Sequence, residues 1–120
     1  MTTSGTRFEQ GEIVLVPFPF TDLTSIKQRP VLVLSNARYN QRTEDIVTCG
    51  ITSNVKNWEY SVMVDNTDLV EGSLPVTSRI KVDKLFTLQQ SLVEKKIARI
   101  KKEKFEEVQK ELMRLTAWHV

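Results

Sequence analysis

Val31, Leu32, Val33 and Leu34 form an unbroken apolar run. Successive side chains of a strand point to opposite faces, so a strand without polar alternation is covered on both. The chain must therefore build a sheet with apolar packing on each side of this segment. Arg29 and Pro30 stand directly before the run. A guanidinium there keeps its proton and brings five N–H donors to the edge of a core. Something must pair with it or use it.

The flanking segments extend the sheet. "GEIVLVPF" (11–18) reads as a strand rich in β-branched residues. "FPFTDLTSIKQRP" (18–30) reads as a long loop, and long loops in small domains tend to carry function. "VLVLSN" (31–36) is expected as the central strand, and the polar "ARYNQRTE" (37–44) as a second loop. "DIVTCGITS" (45–53) reads as another buried strand, ending in two hydroxyls and Asn54. "EYSVMVD" (59–65) alternates with period two. "NTDLVEGSLPV" (66–76) is turn-rich, and "SRIKVDKLFTL" (78–88) alternates again as a strand that bends. "KKIARI" (95–100) reads as a short strand or an approach to a helix.

Near the C-terminus the period changes. Phe105, Val108, Leu112 and Leu115 form a helical stripe, which predicts a helix from about Lys102 to Thr116. Glu106 and Lys110 are spaced for a favourable pair on it. Trp118 is expected to pack the end of this helix onto the barrel. Short strands followed by one terminal helix predict a mainly β fold: a small SH3-like barrel, or strongly bent antiparallel sheet, with a C-terminal helix.

The 120 residues are read as one domain, 1–120, with 1–8 as a flexible extension. No apolar run approaches the roughly 20 residues of a membrane span. The N-terminus lacks the apolar core of a signal peptide, so a cytoplasmic protein is expected. The single cysteine, Cys49, reads as a small buried hydrophobe. Net charge is only +2, and the basic excess lies in 93–120, with 8 basic against 5 acidic residues. That stretch reads as a solvated strand edge and helix start. A polyanion would have to be held by a local site rather than a broad field.

One His and one Cys cannot build a zinc site, and neither a phosphate-binding glycine loop nor a nucleophile elbow is present. No cofactor or metal is expected. What remains are polar residues at strand ends: Arg29, Thr52, Ser53, Lys81 and Asp83. Singly, each has an ordinary role: loop anchor, strand cap, or the surface ion pair expected between Lys81 and Asp83.

Together, "GEIVLVPFPF", "QRPVLVLSN", "IVTCGITSN" and "SRIKVDKLFTL", in that order and followed by a helix, resemble the MazF/PemK (Kid) family of type II toxin–antitoxin endoribonucleases over about 9–117. The resemblance implies a metal-independent ribonuclease that uses the 2′-OH of single-stranded RNA as its nucleophile. It assigns Arg29 and Thr52 to the site, with Ser53 assisting. Asp83 falls on an acidic position that some members use as base. Lys81 stands where the Kid branch has an arginine acting as acid, and lysine lacks the bidentate fork. Arg79 is read as lying on the opposite face of that strand, with a structural role. RNA-reading positions are expected at Phe20, Lys27, Gln28, Tyr39, Asn40, Asn54 and Ser78, with Trp58 a further available ring. The 18–30 loop and "ARYNQRTE" are expected to flank the site. Family likeness also implies a homodimer and a cognate antitoxin with a disordered acidic tail. The alternative is a non-enzymatic toxin of the same fold that binds DNA gyrase, as CcdB does through a C-terminal tryptophan; here that would be Trp118. A third reading is a small barrel that binds protein or nucleic acid without cutting it.

Overall fold

The computed structural model describes residues 8–19 and 26–119. Along the chain run β1 (Glu12–Pro19), β2 (Ile26–Val33), α1 (Ala37–Arg42), β3 (Asp45–Thr52), β4 (Ser61–Val64), β5 (Leu69–Gly72), β6 (Ser78–Gln89), β7 (Lys95–Ile100) and α2 (Lys102–Thr116). The seven strands form one sheet in the order β4-β6-β3-β2-β1-β7-β5, each neighbour antiparallel.

The connection between the two edge strands forces this sheet to curl. β4 ends at Val64 and β5 begins at Leu69. Five peptide steps reach about 17 Å at full extension. Seven flat strands would hold the edges about 29 Å apart. The sheet is therefore bent into a half-barrel. A 3-10 turn at Asn66–Asp68 makes the crossing, capped by Asp65, whose carboxylate accepts from Thr67 N–H at 2.9 Å.

Both faces are covered, as the run at 31–34 requires. On one, Ile13, Leu32, Cys49, Ile51, Ile80 and Val82 join Val62, Val64, Ala98 and Ile100 under α2. Phe105, Val108 and Leu112 are the helix residues that pack there, from the predicted stripe. On the other, Val14, Val16, Val31, Val33 and Ile46 pack with Phe8, Phe86, Leu88 and Val93. Arg29 precedes β-cluster residues Val31 and Val33 with the same parity, so it belongs to this second face.

Several expectations need correction. β2 starts at Ile26, so Lys27, Gln28, Arg29 and Pro30 lie within the strand, paired with β1 as Arg29↔Val16 and Pro30↔Leu15. "ARYNQR" is a short helix, capped by the Asn36 side chain accepting from Tyr39 N–H at 3.0 Å. Within "NTDLVEGSLPV" lies β5, and 95–100 is wholly a strand. Along α2 the ion pairs among the described residues are Lys104–Glu107 and Arg114–Glu111, not Glu106–Lys110. Trp118 does not pack on the barrel: it is 94% exposed. Of the six basic residues in 93–104, three form ion pairs among the described residues, Lys96–Glu12, Arg99–Glu9 and Lys104–Asp68. No helix among the described residues is long and apolar enough to cross a membrane.

Candidate functional site

Strand register brings the site together. β2 pairs with β3 as Val31↔Gly50, Leu32↔Cys49 and Val33↔Thr48. Continuing that antiparallel register by two residues sets Arg29 across from Thr52. On its other side Thr52 pairs with Arg79 of β6, and Arg79 with Met63 of β4. Residues directly opposite one another share a face. Val16, Arg29, Thr52, Arg79 and Met63 thus form one row across five strands. In the adjacent row Lys81 pairs with Gly50 and Ser61.

Thr52 ends β3 in a turn. Its Oγ1 accepts from Asn54 N–H at 3.1 Å, and Asn54 Oδ1 accepts from Lys56 N–H at 3.2 Å. A hydroxyl that accepts through one lone pair keeps its own proton for donation. The next turn places Trp58, whose Nε1–H donates to Asn54 O at 3.2 Å. Lys81 Nζ sits 4.1 Å from the Trp58 ring centroid and Lys56 Nζ 5.2 Å, both within cation–π range. Arg79 Nη1 donates to Ser61 Oγ at 2.8 Å, and Ser61 Oγ donates in turn to Trp58 O at 2.5 Å. Arg79 is therefore on the face of Lys81, not opposite it. Residues 79 and 81 have the same parity in a regular strand, which is the signal that the sequence held.

Asp83 stands apart from this row. Register jumps from Gly50↔Lys81 to Cys49↔Leu85, so Val82, Asp83 and Lys84 bulge from the ladder. Asp83 is exposed there, and no ion pair joins it to Lys81 among the described residues. Burial, and secondarily the Asp83 charge, push the Cys49 thiol up to about 12, so Cys49 is a neutral core group.

Arg29 also borders a hollow of about 690 Å³, together with Lys27, Gln28, Pro30, Ile51 and Ser53. Ser78 lies against it too, buried, its Oγ donating to Val76 O at 3.1 Å. By alternation Pro30 and Ile51 face away from Thr52. The hollow and the Arg29–Thr52–Arg79 row are thus two sides of one sheet margin, meeting at Arg29.

Two of the expected RNA-reading positions do not join this site. Asn40 is fully buried: Nδ2 donates to Phe8 O at 2.9 Å and Ser35 O at 3.1 Å, and Oδ1 accepts from Ser35 Oγ at 2.6 Å. It holds a loop. Tyr39, on the same helix, is exposed, but α1 follows the end of β2 and precedes β3. Arg29 lies toward the start of β2 and Thr52 at the end of β3, four residues or about 13 Å away along the ladder. "ARYNQRTE" therefore does not flank the pair. Phe20 lies outside the described residues.

The chemistry available is anion binding. Among the described residues neither Arg79 nor Lys81 pairs with a carboxylate. Cations collected on one face beside a donating hydroxyl suit a multiply charged oxyanion.

No curated protein sequence matches the chain. Solved structures match over nearly its whole length. A MazE–MazF complex from Deinococcus radiodurans is 26% identical, with a TM-score of 0.72, over 96% of this chain and 100% of that one. A second crystal form of that complex gives 25% identity and a TM-score of 0.75, over 93% and 98% of the two chains. A mycobacterial endoribonuclease in complex with its cognate antitoxin shares the fold at 17% identity, TM-score 0.75, over 93% and 99%. The family described as PemK-like, MazF-like toxin of type II toxin–antitoxin systems matches residues 9–116. Spanning nearly all of the sheet and helix, that match makes the chain a member of this toxin family.

Proposed function

We propose that this toxin is a sequence-selective endoribonuclease that cuts single-stranded RNA without a metal ion. The observation that supports the reading is the β2–β3 register, Val31↔Gly50 to Val33↔Thr48, which continued by two residues brings Arg29 opposite Thr52, itself paired with Arg79. In the proposed reaction the substrate's 2′-oxygen attacks phosphorus. The P–O2′ bond forms and the P–O5′ bond breaks. The 2′ proton leaves to a base and the 5′-oxygen takes up a proton. Products are a 2′,3′-cyclic phosphate, opening to a 3′-phosphate, and a 5′-OH.

The crowded, doubly charged phosphorane needs donors in fixed places. Arg29 supplies a fork to two oxygens, and the Thr52 hydroxyl a third contact, with Ser53 beside it. Asp83 and Lys81 are assigned the proton transfers. The exposure of Asp83 and the engagement of Lys81 with Trp58 make these weaker supports than the Arg29–Thr52 pair. Lys27, Gln28 and Ser78, which line the hollow beside Arg29, and Asn54, which turns back onto Thr52, are proposed to contact flanking nucleotides. DNA lacks the nucleophile and should survive.

Likeness to the antitoxin-bound relatives supports a cognate antitoxin; an acidic, disordered antitoxin tail over the cationic margin, a homodimeric toxin and a cytoplasmic setting are proposed from the family resemblance. The test is incubation with long single-stranded RNA in excess EDTA, beside DNA of the same sequence, with end mapping. Discrete RNA cuts bearing 5′-OH ends are expected, with DNA intact. Arg29→Ala should lower the rate by at least about 100-fold while the protein stays folded. Undiminished cutting by a folded Arg29→Ala protein would remove the assignment.

A further inference from the structure

Arg79 is the one cation of the site with a cost built into its placement. Its Nη1 is held by Ser61 Oγ at 2.8 Å, yet its Nε–H is buried and has no hydrogen-bond partner among the described residues. A buried donor left unpaired is costly, and such groups in folded proteins call for an explanation. A guanidinium kept only to tie β4 to β6 would need Nη1 alone. No carboxylate among the described residues forms an ion pair with it, Lys81 lies two residues along on the same face, and Thr52 stands directly opposite. Lys81 is itself engaged with the Trp58 ring at 4.1 Å.

We propose that Arg79 is a second phosphate-holding arginine of the active site, on the far side of Thr52 from Arg29. The scissile phosphate then lies over Thr52 between two guanidinium groups. A modest swing of the side chain turns the unpaired Nε–H and a terminal N–H toward two phosphate oxygens, which satisfies the orphaned donor and supplies the two-pronged contact that Lys81 cannot make. Ser61, anchored on Trp58 O, serves as the resting partner from which Arg79 is released. This rests on the ribonuclease reading above.

The test uses the full chain and two readouts. One is the rate of cutting of the mapped RNA. The other is binding to the same RNA carrying a single 2′-deoxy nucleotide at the cut, followed by fluorescence anisotropy over a range of KCl concentrations. Arg79→Gln is expected to slow cutting about 100-fold and to lower the log–log salt slope of binding by about 0.7, the loss of one phosphate contact on a single strand. Arg79→Lys should keep the slope, because the charge remains, and still cut at least about 10-fold more slowly for want of the fork. Ser61→Ala, which removes only the resting partner, should keep both. A folded Arg79→Gln protein with unchanged rate and slope overturns the proposal, as does a folded Arg79→Lys protein that cuts at the wild-type rate. Ser61→Ala matching Arg79→Gln in both readouts would reduce Arg79 to a strand tie. Those results leave the ribonuclease reading standing, whereas a wild-type protein that neither cuts nor binds RNA removes both.

Discussion

At the scale of single residues, burial decides which polar groups are free to act. Asn40 looked in the sequence like a base-reading amide at a loop tip, yet every polar atom of its side chain is spent inside the fold. Nothing in the polar run "ARYNQRTE" distinguishes an amide that points in from one that points out. Gly72 is the opposite case, a residue whose constraint is steric. It has φ +79°, and a Cβ there would meet Ile97 O at 2.0 Å. Only glycine lets β5 approach β7 so closely. Cys49 carries a consequence for pH. Its thiol ionises near 9.0 when unfolded and near 12 when folded. Between those values the unfolded chain has lost a proton that the native state still holds, so stability falls as pH rises. At pH 10.5 the loss should be about 2 kcal/mol. Lys96, whose pKa is raised by its bond to Glu12, adds in the same direction above its unfolded value, but weakly, because it is half exposed. Urea midpoints measured at pH 8 and 10.5 should converge for Cys49→Ala and diverge for the wild type. An equal alkaline loss in both would assign it elsewhere.

At the scale of elements, pairing overrode local signals. Pro30 and the polar residues before it suggested a loop up to the apolar run. Pairing with β1 carries β2 back to Ile26, because the partner strand satisfies the backbone whatever the side chains are. α1 was invisible to periodicity: six residues have no room for an apolar stripe. It is instead held by the Asn36 cap and by Gln90, whose Nε2 donates to Asn40 O at 2.7 Å and Asp45 O at 3.0 Å. Asn36→Ala is expected to cost about 1 kcal/mol in chemical denaturation, with the loss of protection confined to 36–43 in hydrogen exchange. α2 was legible to its ends, since four apolar residues at helical spacing over 15 residues leave little choice of face. The bend of β6 was legible as a bend. Its three-residue bulge, which takes Asp83 out of the ladder, was not, because a bulge is a mismatch with a partner strand rather than a property of its own sequence.

At the scale of the whole molecule, the curl of the sheet decides where charge gathers. Part of the C-terminal basic stretch is paired, Lys96 with Glu12, Arg99 with Glu9 and Lys104 with Asp68 and Glu107. Arg79 and Lys81, neither of them in an ion pair with a carboxylate among the described residues, sit on the Thr52 face of β6. In the proposed function RNA is therefore held by a local margin and not by net charge, which is only +2. The exposed tail separates the ribonuclease reading from the gyrase-binding alternative, which the matched structures do not support. Trp118 makes little contact with the barrel, so deleting 118–120 should change stability by less than about 0.5 kcal/mol. RNA cutting should persist. Loss of toxicity with cutting intact would instead favour a gyrase-type binder.

The order of the segments and their periods were enough to determine the fold class, the C-terminal helix and the buried thiol. These are properties of local pattern: alternation, helical spacing, and motifs in sequence order. Tertiary structure alone decided that Asn40 is interior, that α1 lies at the far end of the ladder from Arg29 and Thr52, that Asp83 leaves the row, and that Arg79 stands against Thr52 with an N–H unpaired among the described residues. Each depends on which strand lies beside which, and at what register. A shift of one residue would turn every side chain of a strand to the other face, and register is set by packing across the sheet between residues distant in the chain.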